Sequence, residues 1–235
     1  MASPTATEGF GFTYADKVGA LALLTLLARL PFTDQDLGVV TQVQFGQRPA
    51  GWHFDDLLLT LDHLGTANRL AISIKSASHI TGAGVNKEIV DLVWLQLTDG
   101  GPLEESTDRL ALVQPSIGST LSDEVNELYR WAHRQADGQL PTWLQPGVSN
   151  NLKRTISESV LSGQGRDDPQ RFFRAFQFLP LDLDPPQDQD SRRAIETCLA
   201  VLKDPSEALA SSLWAHLQQL SADVTSPRIL THLEC

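Results

Sequence analysis

The spacing of apolar residues in the first part of the chain predicts a helix followed by three strands. Apolar positions recur every three or four residues over 14–30, which is typical of a helix. Residues 37–45 alternate and are rich in β-branched side chains, which favours a strand. Two further apolar runs, 54–61 and 70–76, predict a hairpin with a moderately long loop over 62–69.

A second helix and a fourth strand are predicted after this hairpin. Asn86 can cap a helix that reaches about Leu97. The glycine-containing stretch 82–84 before it lacks the lysine and serine of a P-loop, so we expect a flexible loop. Residues 109–114 form a short apolar run that Pro115 ends. The predicted order through residue 118 is therefore α, β, β, β, α, β.

The rest of the chain, 119–235, is predicted to be a mainly helical extension that packs on the 1–118 core as one domain. No closing element is evident in 226–235. The predicted elements are a helix from Ser122 to 136, a helix from Asn150 or Asn151 to 161, a strand within 172–183, and helices over 191–202 and 205–220, the last opened by Asp204 and Pro205.

The charge of the chain argues against a broad nucleic-acid-binding surface. The 235 residues carry a formal net charge of -11, whereas such surfaces are usually basic. The arginines of the second half offer a thin strip at best. These are Arg166, Arg171, Arg174, Arg192 and Arg193.

Cysteine usage and hydropathy favour a cytoplasmic protein. Two cysteines, Cys198 and Cys235, indicate neither a disulfide framework nor a cysteine-based metal site. No apolar run approaches the roughly 20 residues that a bilayer-spanning helix needs. We therefore expect a reducing compartment and no membrane contact.

Candidate chemistry is concentrated on the predicted hairpin. Asp55 and Asp56 precede one strand, and Ser73, Ile74 and Lys75 end the next. These ends lie close together in a hairpin, so a carboxylate able to bind Mg²⁺ is within reach of an ammonium able to orient water. Residues 73 and 75 share a face because strand side chains alternate, and the Ile74 carbonyl is a further candidate metal ligand. No zinc-protease or serine-hydrolase motif offers a competing site.

This stretch resembles the PD-(D/E)XK nuclease superfamily, in which an aspartate precedes one strand and a (D/E/Q)-X-K tripeptide lies on its hairpin partner. Together with the opening 9–14, GFGFTY, it is similar to the double-stranded DNA endonuclease domains of bacterial antiphage effectors of the CBASS and STAND types. The resemblance implies a restriction-endonuclease-like mixed sheet flanked by helices. It also implies double-stranded DNA as substrate, Mg²⁺ or Mn²⁺ as cofactor, a fused sensor or NTPase module, and homo-oligomers on activation.

Residue by residue, the resemblance assigns Asp56 to the principal metal ligand and Lys75 to the catalytic lysine. Asp55 assists or positions the metal. Ser73 stands where the family usually has Glu or Gln, and a hydroxyl is a poorer Mg²⁺ ligand than a carboxylate. The acid that many relatives place on the first helix corresponds to Asp16 or to Glu8.

A second interpretation is a catalytically degenerate nuclease fold kept as an interaction or regulatory module. The hydroxyl at Ser73 and the acidic net charge both favour it. On this interpretation the helical second half recognises a partner. Independently of both interpretations, Asp55 and Asp56 fit an ordinary turn pair and Lys75 fits a solvent-facing strand end.

Overall fold

A mixed β-sheet with helices on both faces forms the fold of this chain. The computed structural model describes residues 13–32, 37–134, 152–161, 168–183, 189–223 and 229–231. The elements are α1 (Tyr14–Ala28), β1 (Val39–Phe45), a 3₁₀ turn (Arg48–Ala50), β2 (Leu57–His63), β3 (Thr66–Ile74), β4 (Ile80–Thr81), β5 (Gly84–Val85), α2 (Lys87–Thr98), β6 (Arg109–Gln114), α3 (Ser119–Arg134), α4 (Leu152–Val160), α5 (Pro169–Ala175), β7 (Phe176–Pro180), α6 (Gln189–Val201), α7 (Glu207–Ala222) and β8 (Ile229–Thr231).

The main sheet has six strands in the order β7-β6-β3-β2-β1-β8. Strands β1, β2 and β3 form an antiparallel meander, and β6 pairs parallel to β3. A parallel pair needs a crossover connection, and α2 lies in the connection between β3 and β6. The predicted order α, β, β, β, α, β is confirmed, with the small β4–β5 hairpin added to it.

The sheet is buried on both faces, so the fold has two apolar layers. One layer packs α1, α6 and α7 against side chains such as Leu70 and Ile72 of β3. The other packs α2, α3, α4 and α5 against the opposite face, which includes Ala71 of the same strand. A run of buried residues on a central strand follows from this two-sided cover. Among the described residues, no helix has the length and apolar character needed to cross a bilayer.

The hairpin between β2 and β3 is tighter than predicted, and the loop over 62–69 is wrong. Strand pairing continues to His63 opposite Thr66, which leaves a two-residue turn at Leu64 and Gly65. Both have positive φ, 53° and 84°. This is the geometry that two-residue hairpins favour, normally with Asn, Asp or Gly at the first position. Leucine is not a typical residue at this position, so the sequence pattern did not predict the turn.

The predicted strand within 172–183 is confirmed as β7, and the residues before it form a short helix. Asp168 caps α5 by accepting a hydrogen bond from the Arg171 N–H at 3.0 Å, and Pro169 occupies the first turn. Phe172 therefore belongs to a helix, and β7 begins at Phe176. Three aromatic residues within five positions fit a helical face as well as a strand, and the cap decides between them.

Other boundaries and one element differ from the prediction. Helix α3 begins at Ser119, before Ser122, and α7 is capped by Ser206 and not by Asp204. Residues 229–231 form β8, which pairs with β1, so the expected lack of a closing element is wrong. The stretch 82–84 belongs to the β4–β5 hairpin and its turn. The predicted helix caps at residues 150 and 151, and Arg166, lie outside the described residues.

Candidate active site

Asp56 lies directly before β2 and faces the end of β3. Its Oδ2 atom accepts the Ile74 backbone N–H at 2.6 Å and the Ser73 hydroxyl at 3.4 Å. The β2–β3 register pairs Leu57 with Ile72, which places Asp56 opposite Ser73. The sequence-predicted residues 56, 73 and 74 are therefore in contact.

Lys75 reaches the same face as Ser73, toward α2. Its Nζ atom lies 3.2 Å from Oε1 of Glu88, in the first turn of α2. The charge of Lys75 also lowers the pKa of Asp56, so the two groups are electrostatically coupled. The structure thus brings an aspartate, a hydroxyl and a lysine to one edge of the sheet and adds a second carboxylate, Glu88.

Sequence reasoning missed Glu88 as a site residue. The Asn86 side chain caps α2 by accepting the Glu88 N–H at 2.8 Å, and the Asn86 N–H donates to the His79 carbonyl at 2.7 Å. The β4–β5 hairpin thereby returns the chain to the end of β3 and starts α2 beside Lys75. An acid two residues after a capping asparagine was the available signal, but it is equally typical of an ordinary helix start.

Burial of the Asp56 carboxylate raises its pKa above the ordinary aspartate value. The Ile74 N–H, Lys75 and the Ser73 hydroxyl each lower this pKa, while the neighbouring charge of Asp55 raises it. The residue as a whole is exposed, so the desolvation comes from the protein packed around one side of the carboxylate. Such a site favours a cation that compensates the charge of the ionised acid.

Asp55 turns away from this cluster. Its Oδ2 atom lies 3.1 Å from Nε of Arg48, in the 3₁₀ turn that follows β1. Two backbone bonds hold the segments together, from Gln47 N–H to the Asp55 carbonyl at 2.8 Å and from Gly46 N–H to the Asp56 carbonyl at 3.3 Å. Successive strand side chains point to opposite faces, so Asp55 and Asp56 diverge.

Of the two candidate acids associated with the first helix, the structure describes only Asp16. Asp16 closes a capping box, since its Oδ2 atom accepts the Thr13 N–H at 2.8 Å. Glu8 lies outside the described residues. Asp16 therefore has a structural role at the start of α1.

The oxygen ligands around Asp56 fit a Mg²⁺ ion that takes only one or two ligands from the protein and the rest from water or substrate. Within the described ranges, no group of three or more His, Cys, Asp or Glu side chains is arranged to hold a metal. Mg²⁺ commonly keeps several waters and binds through one or two carboxylates plus substrate phosphate. Asp56 is one such carboxylate. The Ile74 N–H points at it, and the N–H and C=O of a strand residue face the same neighbour, so the Ile74 carbonyl faces the same side.

The segment that carries Asp56 is also fixed to α2. The buried Gln96 side chain accepts the His53 N–H at 2.6 Å and donates to the Gly51 carbonyl at 3.4 Å. Helix α2 therefore positions both Glu88 and the approach to Asp56. Helix α2 thus fixes the positions of the Glu88 and Asp56 carboxylates relative to each other.

Comparison with known proteins shows that the fold of this chain is similar to part of a larger receptor. No protein-family model and no curated protein sequence match the chain. Three structures of an Acinetobacter baumannii Cap4 SAVED/CARF-domain containing receptor are similar to it: with the cyclic trinucleotide 2'3'3'-cAAA (TM-score 0.56, 12% identity, 97% of this chain and 43% of the receptor chain), with 3'3'3'-cAAA (0.54, 11%, 97% and 43%), and without a named ligand (0.53, 12%, 95% and 45%). The chain thus spans less than half of the receptor's length. At this identity the likeness establishes a shared fold.

Proposed function

We propose that this chain is a Mg²⁺-dependent endonuclease domain that hydrolyses phosphodiester bonds of double-stranded DNA, as an effector in bacterial antiphage defence. The observation that carries the proposal is the meeting of Asp56, Ser73 and Lys75 at the ends of two neighbouring strands, with Glu88 beside the lysine. Carboxylates for a metal and an ammonium for water or phosphate are the groups that such hydrolysis needs.

In this proposal Asp56 and Glu88, which lie on different elements, supply the carboxylates of the site, because Ser73 occupies the position where the family usually has an acid. Asp56 is the principal ligand, with the Ile74 carbonyl beside it, and Glu88 supplies the carboxylate that Ser73 lacks. Bound Mg²⁺ or Mn²⁺ supplies a Lewis acid for the scissile phosphate. Lys75 orients the attacking water and stabilises negative charge that develops on the phosphate. The raised pKa of Asp56 supports a carboxylate that is poised for a cation.

The topology supports a restriction-endonuclease-like core. The antiparallel meander β1–β2–β3, followed by a crossover helix and a strand parallel to β3, agrees with the resemblance of the motifs. The likeness to the Cap4 receptor supports the antiphage context. Because that receptor is more than twice as long as the matched part, a fused sensor or NTPase module and activation by homo-oligomerisation belong to the proposal as well.

A second candidate is a nuclease fold without catalysis that acts as an interaction or regulatory module. The hydroxyl of Ser73 in the acid position favours it, as does the lack of a three-residue metal cluster among the described residues. Such a module would have no use for a divalent cation. The two candidates therefore differ in metal binding before any substrate is added.

Titration with Mn²⁺, followed by electron paramagnetic resonance, tests the proposal against this alternative. The nuclease candidate predicts Mn²⁺ binding that Mg²⁺ displaces and that Asp56→Ala weakens strongly. Asp123→Ala removes an exposed carboxylate from α3 and serves as the matched control. Binding that is equal in all three proteins, or absent from all three, supports the non-catalytic module.

A further inference from the structure

The Arg48–Asp55 ion pair lies one residue along the chain from Asp56 and has a geometry suited to a phosphate. Arg48 Nε lies 3.1 Å from Asp55 Oδ2, and the Arg48 side chain is 73% exposed. An ion pair this open to water contributes little to folding stability. Its effect is instead to fix where the guanidinium points.

The carboxylate of Asp55 contacts the Nε edge of the Arg48 guanidinium and leaves the edge formed by the two Nη atoms available to a ligand. Arginine has five N–H donors in a rigid planar fork, one on Nε and four on the two Nη atoms. Across the described ranges of the chain, no hydrogen bond uses the Nη groups of Arg48. Two parallel N–H donors in one plane match the two non-bridging oxygens of a phosphodiester.

The position of this guanidinium is tied to the residue next to Asp56. The bonds from Gln47 to Asp55 and from Gly46 to Asp56 hold the end of β1 against the entry of β2. Arg48 follows directly on this ladder, which holds its backbone next to that of Asp55. Asp55 and Asp56 are consecutive residues, so the Arg48–Asp55 pair lies one residue along the chain from Asp56, on the opposite face of the strand entry.

The negative net charge of the chain makes local cations such as Arg48 necessary for binding DNA. A net charge of -11 repels DNA, so local cations must hold the strand. Two lysines near the start of α2 have their charged heads at carboxylates, since Lys75 lies 3.2 Å from Glu88 and Lys87 lies 2.5 Å from Asp91. Arginine differs from these lysines because one pairing leaves its remaining donors directed outward.

Building on the proposed nuclease function, we propose that Arg48, oriented by Asp55, binds a phosphate of the DNA strand next to the phosphodiester that Asp56 and Lys75 face. Arg48 is a substrate-binding residue in this account. Asp55 is a positioning residue that acts through Arg48 and does not touch the metal. The role that the family resemblance implies for Asp55, assistance in metal binding, makes a different prediction.

The test measures binding of a fluorescently labelled DNA duplex in EDTA by anisotropy, over a series of KCl concentrations. Each phosphate contact to B-DNA contributes about 0.9 to the slope of log Kobs against log salt. Arg48→Gln is expected to weaken binding to every duplex sequence and to reduce the slope by about 0.9. Arg154→Gln removes the same charge from an exposed Arg–Glu pair on α4 and is expected to retain the wild-type slope.

Cleavage kinetics in Mg²⁺ separate the two roles of Asp55. As a positioning residue, Asp55→Asn raises KM and leaves kcat and the Mg²⁺ requirement near the wild-type values. A fall in kcat with a higher Mg²⁺ requirement identifies Asp55 as a metal ligand and overturns the assignment. An unchanged salt slope in Arg48→Gln, in a wild type that binds and cuts DNA, overturns the phosphate contact but not the nuclease. A wild type that neither binds nor cuts DNA overturns both proposals.

Discussion

Replacing Glu88 by glutamine separates a structural role of this carboxylate from a role in the active site. The ion pair joins Lys75 Nζ to Glu88 Oε1 at 3.2 Å, between side chains that are 27% and 58% exposed. A pair this accessible to water contributes roughly 0–1 kcal/mol to folding. Loss of one preorganised electrostatic group from an active site costs about 2.7–4 kcal/mol of activation free energy, roughly 100- to 1000-fold in rate. Glu88→Gln should therefore slow cleavage far more than it destabilises the fold.

Single-turnover cleavage of supercoiled plasmid, beside urea unfolding, measures both quantities. Asp91→Asn is the matched control, because it removes a carboxylate from the same helix that pairs with Lys87 at 2.5 Å. Its cleavage rate should equal that of the wild type. Adding Ser73→Glu to Glu88→Gln should restore part of the rate, since it returns a carboxylate to the face beside Lys75. A Glu88→Gln rate within about threefold of wild type would refute a catalytic role for Glu88.

Three further substitutions test the energetics of the fold. Burial raises the pKa of Asp56, so ionising this acid disfavours the folded state. Asp56→Asn should therefore have a higher Tm than the wild type at pH 7, and this difference should vanish below about pH 3.8. Equal Tm values of variant and wild type at pH 7 contradict this. The Asp108 side chain is 1% exposed and accepts bonds from the Arg69 guanidinium, so Asp108→Ala should cost about 3–5 kcal/mol in urea unfolding, and a loss below about 1 kcal/mol is inconsistent with a buried pair. Leu64 is 94% exposed at φ 53°, so Leu64→Gly should stabilise the hairpin by roughly 0.5–1 kcal/mol, and a destabilised variant shows instead that the leucine side chain has a packing role.

Elements with strong local signals could be predicted from the sequence. Asn86 caps α2 as expected, and β6 spans Arg109–Gln114 as predicted, because a short apolar run before a proline has few alternatives. The β2–β3 turn could not be predicted because Leu64 adopts a backbone conformation that leucine rarely takes. Strand β8 depends on pairing with the distant β1, for which three residues carry no signal.

The same division holds for the candidate site. Asp56 and Ser73 lie on neighbouring strands of one hairpin, so local register is enough to bring them together. Glu88 reaches Lys75 through the β4–β5 hairpin and the packing of α2, and the sequence alone specifies neither path. The divergence of Asp55 toward Arg48 depends on the 3₁₀ turn after β1, whose conformation the local sequence does not specify.

The most direct test of the central claim is cleavage of plasmid and linear double-stranded DNA in Mg²⁺ or Mn²⁺ across protein concentration. Wild type is compared with Asp56→Ala and Lys75→Ala, each shown to be folded by circular dichroism. The account predicts metal-dependent cutting by the wild type that both substitutions abolish. Wild-type protein that is folded and binds Mn²⁺ but cuts no DNA at any concentration, or cutting that survives both substitutions, would contradict it.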